Sequence, residues 1–137
     1  MDSTTLRSPM TILNPARPIS VQHGTRLSEV LKVMKENRIG CVCVVDNREL
    51  VGILTERDVL NKVVGGNLDV QQVRVEEVMT PNPEYLFEDD QLAFALNRMS
   101  VGGFRHIPLI NLQGHLTGVI SVKDIVAHLI KNFKEIH

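Results

Sequence analysis

The sequence predicts an α/β (α+β) fold made of two tandem β-α-β-β-α units. Three observations carry the prediction. Short runs rich in β-branched residues alternate with stretches of helical periodicity. The order of these elements recurs at an offset of 65 positions (Cys41 to His106), which becomes 66 beyond the second turn (Gly52 to Gly118). One pattern also closes both copies: Gly52-Ile53-Leu54-Thr55-Glu56-Arg57-Asp58 and Gly118-Val119-Ile120-Ser121-Val122-Lys123-Asp124. Repetition of this kind means one supersecondary unit used twice.

Residues 1–17 are polar and, with Pro9, Pro15 and the following Pro18, predict a loosely ordered arm. Ile19-Ser20-Val21 alternates and forms a short strand. Thr25 offers an N-cap hydroxyl for a helix to about Asn37, whose Leu27, Val30, Leu31 and Met34 fall on one face. Cys41-Val42-Cys43-Val44-Val45 is too short for a helix and reads as a buried strand. Asp46 to Glu49 is turn chemistry, and Leu50 to Leu54 is the hairpin partner. From Thr55 a helix points Val59, Leu60, Val63 and Val64 inward and stops at Gly65-Gly66. After a linker the order returns. Tyr85-Leu86-Phe87 replaces the first strand, and Asp90 caps a helix burying Leu92, Ala95, Leu96 and Met99. His106 to Ile110 and Leu116 to Ile120 form the second hairpin, and a last helix buries Ile125, Val126, Leu129, Ile130 and Phe133.

Charge and composition narrow the function. Fifteen basic residues against sixteen acidic ones leave a net charge of −1, so no basic excess is present for neutralising phosphates along a nucleic acid. Aromatic content is 4% with no Trp, which disfavours a base-stacking platform. Cys41 and Cys43 lie on one face of a strand, where they read as small buried hydrophobes without a second pair for zinc. The start lacks a signal-peptide core, and no apolar run reaches the ~18 residues of a membrane span. A reducing, cytoplasmic setting is the expectation. Each copy alone, at about 60 residues, would be marginal. Apolar helix surface left over after the copies pack together predicts self-association as a homodimer.

Thr-x-x-Asp and Ser-x-x-Asp before apolar runs are capping-box variants, in which hydroxyl and carboxylate each satisfy a backbone N–H. Capping alone accounts for one such match. Two in register point further, because a helix start presents N–H groups and partial positive charge suited to phosphate. A hydroxyl there can donate to phosphate or sugar, and a carboxylate one turn in can accept both hydroxyls of a ribose. Arg57 and Lys123 add cations, and Gly52 and Gly118 would leave room for close approach.

These pieces resemble a tandem pair of CBS domains, the regulatory unit also called a Bateman module. Met79-Thr80-Pro81 with its counterpart Met10-Thr11, Val44-Val45-Asp46, Arg105-His106-Ile107-Pro108-Leu109 and both closing motifs carry the resemblance, which spans about residues 8–133. It implies a first repeat over 8–66, a linker over 67–77, a second repeat over 78–133 and a tail over 134–137. The two copies would pack with pseudo-twofold symmetry around two clefts. In many members these take AMP, ADP, ATP or S-adenosylmethionine, and NAD is a further adenosine-containing candidate. By the same resemblance Asp58 and Asp124 would hold ribose hydroxyls, and Thr55 and Ser121 the ribose or phosphate. Backbone at Ile19, Ser20 and Val21, and at Tyr85, Leu86 and Phe87, would border the base. Arg105 and His106 match positions of basic phosphate contacts, whereas the first copy has Gly40 and Cys41 there.

His23 and His115 fall in turns and His128 in the last helix, where a lone imidazole is a surface or satisfied core group. Glu88-Asp89-Asp90 favours the following helix start rather than a metal. A P-loop, a Gly-x-Ser-x-Gly elbow and a zinc-protease His pair are all absent from the sequence. The expectation is a non-enzymatic, adenine-nucleotide-binding regulatory module, reporting energy or metabolite state to another protein or segment, because no effector sequence accompanies the repeats. A structural dimerisation module that takes no ligand is the alternative.

Overall fold

The computed structural model describes residues 6–15, 17–103 and 105–136, with side chains as far as Asn132. The side chains of Phe133 and of the expected tail, 134–137, lie outside the described residues, as do residues 1–5 and 16 of the expected arm. The chain divides into two compact units. One comprises Pro18–Pro83 with Gly114–Leu116, and the other Met1–Arg17, Glu84–Gln113 and Thr117–His137.

In the first unit, β1 (Ser20–Gln22) runs parallel to β2 (Cys41–Asp46), joined by helix α1 (Leu27–Asn37). Strand β3 (Glu49–Thr55) returns antiparallel through a two-residue turn, Asn47-Arg48, with φ of 50° and 73°. Left-handed values at both central residues match the twist of the flanking strands. The short strand β4 (Thr80–Pro81) pairs antiparallel with β3, placing Pro81 opposite Gly52 and Thr80 opposite Ile53. Helix α1 buries Leu27, Val30 and Met34 against Val21, Val42, Val44 and Leu54, and Val75 and Val78 close the same core.

The second unit repeats the plan with β5 (Leu86–Phe87) parallel to β6 (His106–Ile110), helix α3 (Leu92–Gly102) between them, and β7 (Leu116–Ser121) completing the order β5-β6-β7. The connection after β6 is longer than its counterpart, and Asn111 Oδ1 accepts a hydrogen bond from the Gln113 amide in it. Helix α4 (Val122–Ile136) follows. Its Ile125 joins Leu92, Ala95, Met99, Ile107, Leu109 and Ile120 in the core, with Leu129 packed against them.

Five expectations are corrected. The arm is not loose over its described part: Met10–Leu13 form a 3-10 helix, and Met10 is fully buried in the second core. The Met10 amide donates to the Asp90 carbonyl at 2.9 Å, and the Leu92 amide donates to the Ser8 carbonyl at 2.9 Å. Burying that one side chain is worth about 2 kcal/mol, enough to hold a proline-broken segment in place. Thr25 does not cap α1, because its hydroxyl donates to the Gln22 carbonyl at 2.6 Å. Asp90 does not cap α3 either, since its Oδ2 accepts from the Phe87 amide at 2.8 Å and closes a turn instead.

The helix after Thr55 starts as helix α2 (Glu56–Asp58) and widens into a π-helical turn over Val59–Val64. Val63 is inside, but Leu60 and Val64 are 63% and 67% exposed, not buried as the 3.6-residue pattern predicts. In α4, Val126 and Ile130 are likewise exposed, so its apolar face is broader than the core it meets.

Candidate functional site

Both closing motifs fold as capping boxes. The Thr55 amide donates to Asp58 Oδ2 at 3.0 Å, and the Asp58 amide donates to the Thr55 hydroxyl at 3.2 Å. In the second copy the Ser121 amide donates to Asp124 Oδ2 at 2.8 Å, and the Asp124 amide donates to the Ser121 hydroxyl at 3.2 Å. Each strand therefore delivers a hydroxyl and a carboxylate to one helix start. The residue that opens each hairpin is tied to the same place: the Glu56 amide donates to the Gly40 carbonyl at 2.9 Å and the Val122 amide to the Arg105 carbonyl at 3.0 Å. Residues 40–41 and 105–106 thus sit beside the helix starts at 56 and 122.

The surroundings of the two boxes differ. In the first unit Thr55 and Asp58 are half-buried and Arg57 is exposed. Lys62 Nζ lies 3.2 Å from Asp58 Oδ1 and donates to the Val78 carbonyl at 3.0 Å, while the Thr80 hydroxyl donates to Asp58 Oδ1 at 3.4 Å. The Glu56 side chain lies across Gly40, where a Cβ would collide with its carboxylate. In the second unit Lys123 and Asp124 are exposed and Ser121 is half-buried. Arg105 is exposed, His106 is half-buried, and the position of Glu56 is taken by Val122. The second helix start therefore faces two cations and one acid, a balance that suits an anion better than the first.

Ile19 is half-buried, Ser20 exposed and Val21 buried in the core, so Val21 offers only its backbone. Leu86 also packs inward, but Tyr85 and Phe87 are exposed and meet edge-on with ring centroids 6.1 Å apart. Alternation along the strand puts both rings on one face, so side chains as well as backbone are available there for a flat ligand.

Room at Gly52 and Gly118 serves the protein. A Cβ at Gly52 would collide with Met79 Sδ, and one at Gly118 would lie 3.2 Å from Pro15 Cβ. Each glycine receives the opening segment of the other copy: Met79 stands at the start of the second repeat and Pro15 near the start of the first. Lys62, Thr80 and Met79 were not among the expected site residues. Lys62 carries the one available signal, its place one helical turn beyond Asp58; Thr80 and Met79 reach the motif only through long-range pairing.

Burial pushes the Cys43 thiol up to about 12 from its ordinary 9.0. The Cys41 thiol is also raised, first by burial and then by neighbouring Cys43 and Asp58. Both stay protonated at neutral pH and act as small apolar groups rather than nucleophiles. Among the described residues no group of His, Cys, Asp and Glu is arranged to hold a metal, and no helix is long and apolar enough to cross a membrane.

A duplicated α+β unit with a hydroxyl–carboxylate box at the start of each closing helix defines a tandem repeat module. The CBS domain model matches residues 12–65 and again 75–131, and the chain belongs to the CBS domain family. An uncharacterised 17.7 kDa protein of Acidianus ambivalens is 34% identical over 111 residues, covering 80% of this chain and 66% of that protein. A CBS domain protein from Pyrobaculum aerophilum complexed with AMP superposes with a TM-score of 0.80 at 23% identity, covering 90% of this chain and 98% of that one. The CBS domain pair of a protein in complex with 5′-methylthioadenosine and S-adenosyl-L-methionine gives 0.78 at 22% identity, over 89% and 99% of the two chains. These likenesses establish the fold as that of a CBS-domain pair.

Proposed function

We propose that this chain is a non-enzymatic regulatory module that binds an adenosine-containing ligand, AMP, ADP or ATP first, and signals its level to a partner protein. The observation that carries the reading is the pair of hydroxyl–carboxylate boxes, with Arg105 and His106 beside the second. Asp124 would hold the ribose hydroxyls and Ser121 the ribose or phosphate; Arg105, His106 and Lys123 would face phosphate, and Tyr85 and Phe87 the base. Asp58, Thr55 and Arg57, with backbone at Ile19, Ser20 and Val21, would form the counterpart. Relatives of the same fold in complex with AMP, or with 5′-methylthioadenosine and S-adenosyl-L-methionine, support an adenosine ligand. Regulation would follow from unequal affinity of the ligand for two arrangements of the module.

The exposed pairs Leu60/Val64 and Val126/Ile130 occupy equivalent positions in the two copies, and this supports a homodimer formed through the helix faces. The same observation favours the second reading, a dimerisation module without ligand. Thermal melting with AMP, ADP, ATP, S-adenosylmethionine and NAD separates the two. A ligand at one hundred times its dissociation constant adds about 2.7 kcal/mol, a rise of roughly 5–10 °C at this size. Unchanged melting with every compound at millimolar concentration favours the ligand-free module.

A further inference from the structure

We propose that Lys62 is an internal competitor for the carboxylate of Asp58, so that the first copy admits a ligand only by displacing it. The inference rests on the reading that Asp58 accepts ribose hydroxyls, and it adds how that acceptor is regulated.

The carboxylate is filled from within. Its Oδ2 accepts from the Thr55 amide at 3.0 Å and from the Thr55 hydroxyl at 3.2 Å. Its Oδ1 lies 3.2 Å from Lys62 Nζ and accepts from the Thr80 hydroxyl at 3.4 Å. Each carboxylate oxygen has two lone-pair sites, so no acceptor direction remains for a sugar diol. The Thr55 contacts belong to the helix cap and cannot yield without loosening the helix start. The Thr80 contact is long and weak. Lys62 is the strong competitor: it carries full charge, faces a carboxylate only 13% exposed, and is steadied by a second bond to the Val78 carbonyl at 3.0 Å.

The second copy lacks this device. At the matching position, 66 residues on, stands His128, whose Nε2 lies 3.2 Å from Asn132 Nδ2. Asp124 is exposed, and its hydrogen bonds run to the Ser121 backbone and side chain. The two acceptors are therefore unequal before any ligand arrives, the second open and the first latched.

Release of the latch has a structural readout. When Lys62 leaves, the Val78 carbonyl loses its donor, and the Thr80 hydroxyl is left, among the described residues, as the one remaining contact of this segment with Asp58 Oδ1. Both belong to the segment that forms β4 on the edge of β3, where the Asn82 amide donates to the Val51 carbonyl at 3.1 Å. Ligand entry at the first copy is thus felt by residues 78–82, which open the second repeat.

Calorimetric titration of AMP tests the latch on the full chain. Asp124→Ala silences the second site, and Lys62→Met is added to it, with Lys62→Gln as a second replacement in case one of them impairs folding. The aliphatic stem is kept in both, and Asp58→Ala assigns the remaining heat to the first site. Removal of the competitor should tighten AMP binding about two- to fivefold, the worth of one half-exposed charged contact. Amide exchange at Met79, Thr80 and Asn82 should also quicken in Lys62→Met without ligand. Unchanged or weaker AMP binding on Lys62 replacement overturns the latch, the weaker result making Lys62 a ligand contact instead. Binding that depends on Asp124 but never appears at the first site in either Lys62 variant overturns the latch alone. Absence of AMP binding to the unmodified chain and to every variant overturns both the latch and the nucleotide reading.

Discussion

Replacing Asp124 by Ala separates the two roles that its carboxylate can play. As a cap, Asp124 accepts one hydrogen bond, from the Ser121 amide at 2.8 Å, on an exposed helix start. Losing such a contact costs about 1 kcal/mol, a fall in melting temperature of roughly 2–4 °C for a chain of this length. As a ribose acceptor it would receive two hydroxyl donors. Each hydrogen bond to a charged group is worth about 1.5–3 kcal/mol. Exposure favours the lower end, so the pair amounts to about 3 kcal/mol, or on the order of a hundredfold in affinity. Urea denaturation measures the first quantity and calorimetric titration with AMP the second, on the same preparation. Asp124→Asn is the companion variant: it keeps an acceptor for the Ser121 amide but removes the charge, so stability should hold while affinity falls. A loss of about 1 kcal/mol of stability in Asp124→Ala with AMP affinity changed less than about fivefold refutes the ribose assignment and leaves capping as the whole role.

Two further expectations follow from packing. Gly52→Ala forces a methyl group onto Met79 Sδ and should cost about 1–3 kcal/mol in urea denaturation; the added substitution Met79→Ala should recover part of that loss, and strictly additive effects would contradict the contact. Leu60→Glu combined with Val126→Glu places charges on the two exposed helix faces. Sedimentation should then show a monomer of unchanged circular dichroism where the unmodified chain is a dimer, and a dimer persisting through both substitutions, or a monomer from the outset, would remove the helix-face interface.

What could be read from the sequence was whatever depended on neighbours in the chain. The Cys41–Val45 run is a strand because five small or β-branched residues in a row suit a sheet covered on both faces, and the Thr55 and Ser121 boxes need only a three-residue spacing. Features that depend on distant partners were hidden. A hydroxyl or acid ahead of a helix is indistinguishable in sequence from a turn former, and Thr25 and Asp90 proved to be turn formers. Met10 shares a short proline-broken stretch with Leu6, Ile12 and Leu13 without helix or strand periodicity, so nothing local marks it as fully buried. Leu60 and Val64 follow the 3.6-residue spacing yet stand outside the core, as their counterparts Val126 and Ile130 do in α4, because the apolar stripe is wider than the core it meets. Glycine at 52 and 118 was read as space for a ligand, whereas Met79 and Pro15 take it.

The two copies keep one backbone geometry and differ in the charges set around it. Gly40 and Arg105 hold the same carbonyl against the amide that opens each closing helix, so their side chains are the variables at a fixed place. In the first copy that place has no side chain, and the carboxylate of Glu56 lies over it. In the second, Arg105 and His106 stand there and Val122 brings no charge. A phosphate approaching the first helix start meets an acid, and one approaching the second meets a guanidinium. Both starts carry the same partial positive charge, so side-chain charge is what differs between them. If the second copy is the preferred phosphate site, as proposed, that preference would rest on three substitutions around a shared cap, and it should weaken with rising salt, as surface electrostatics does.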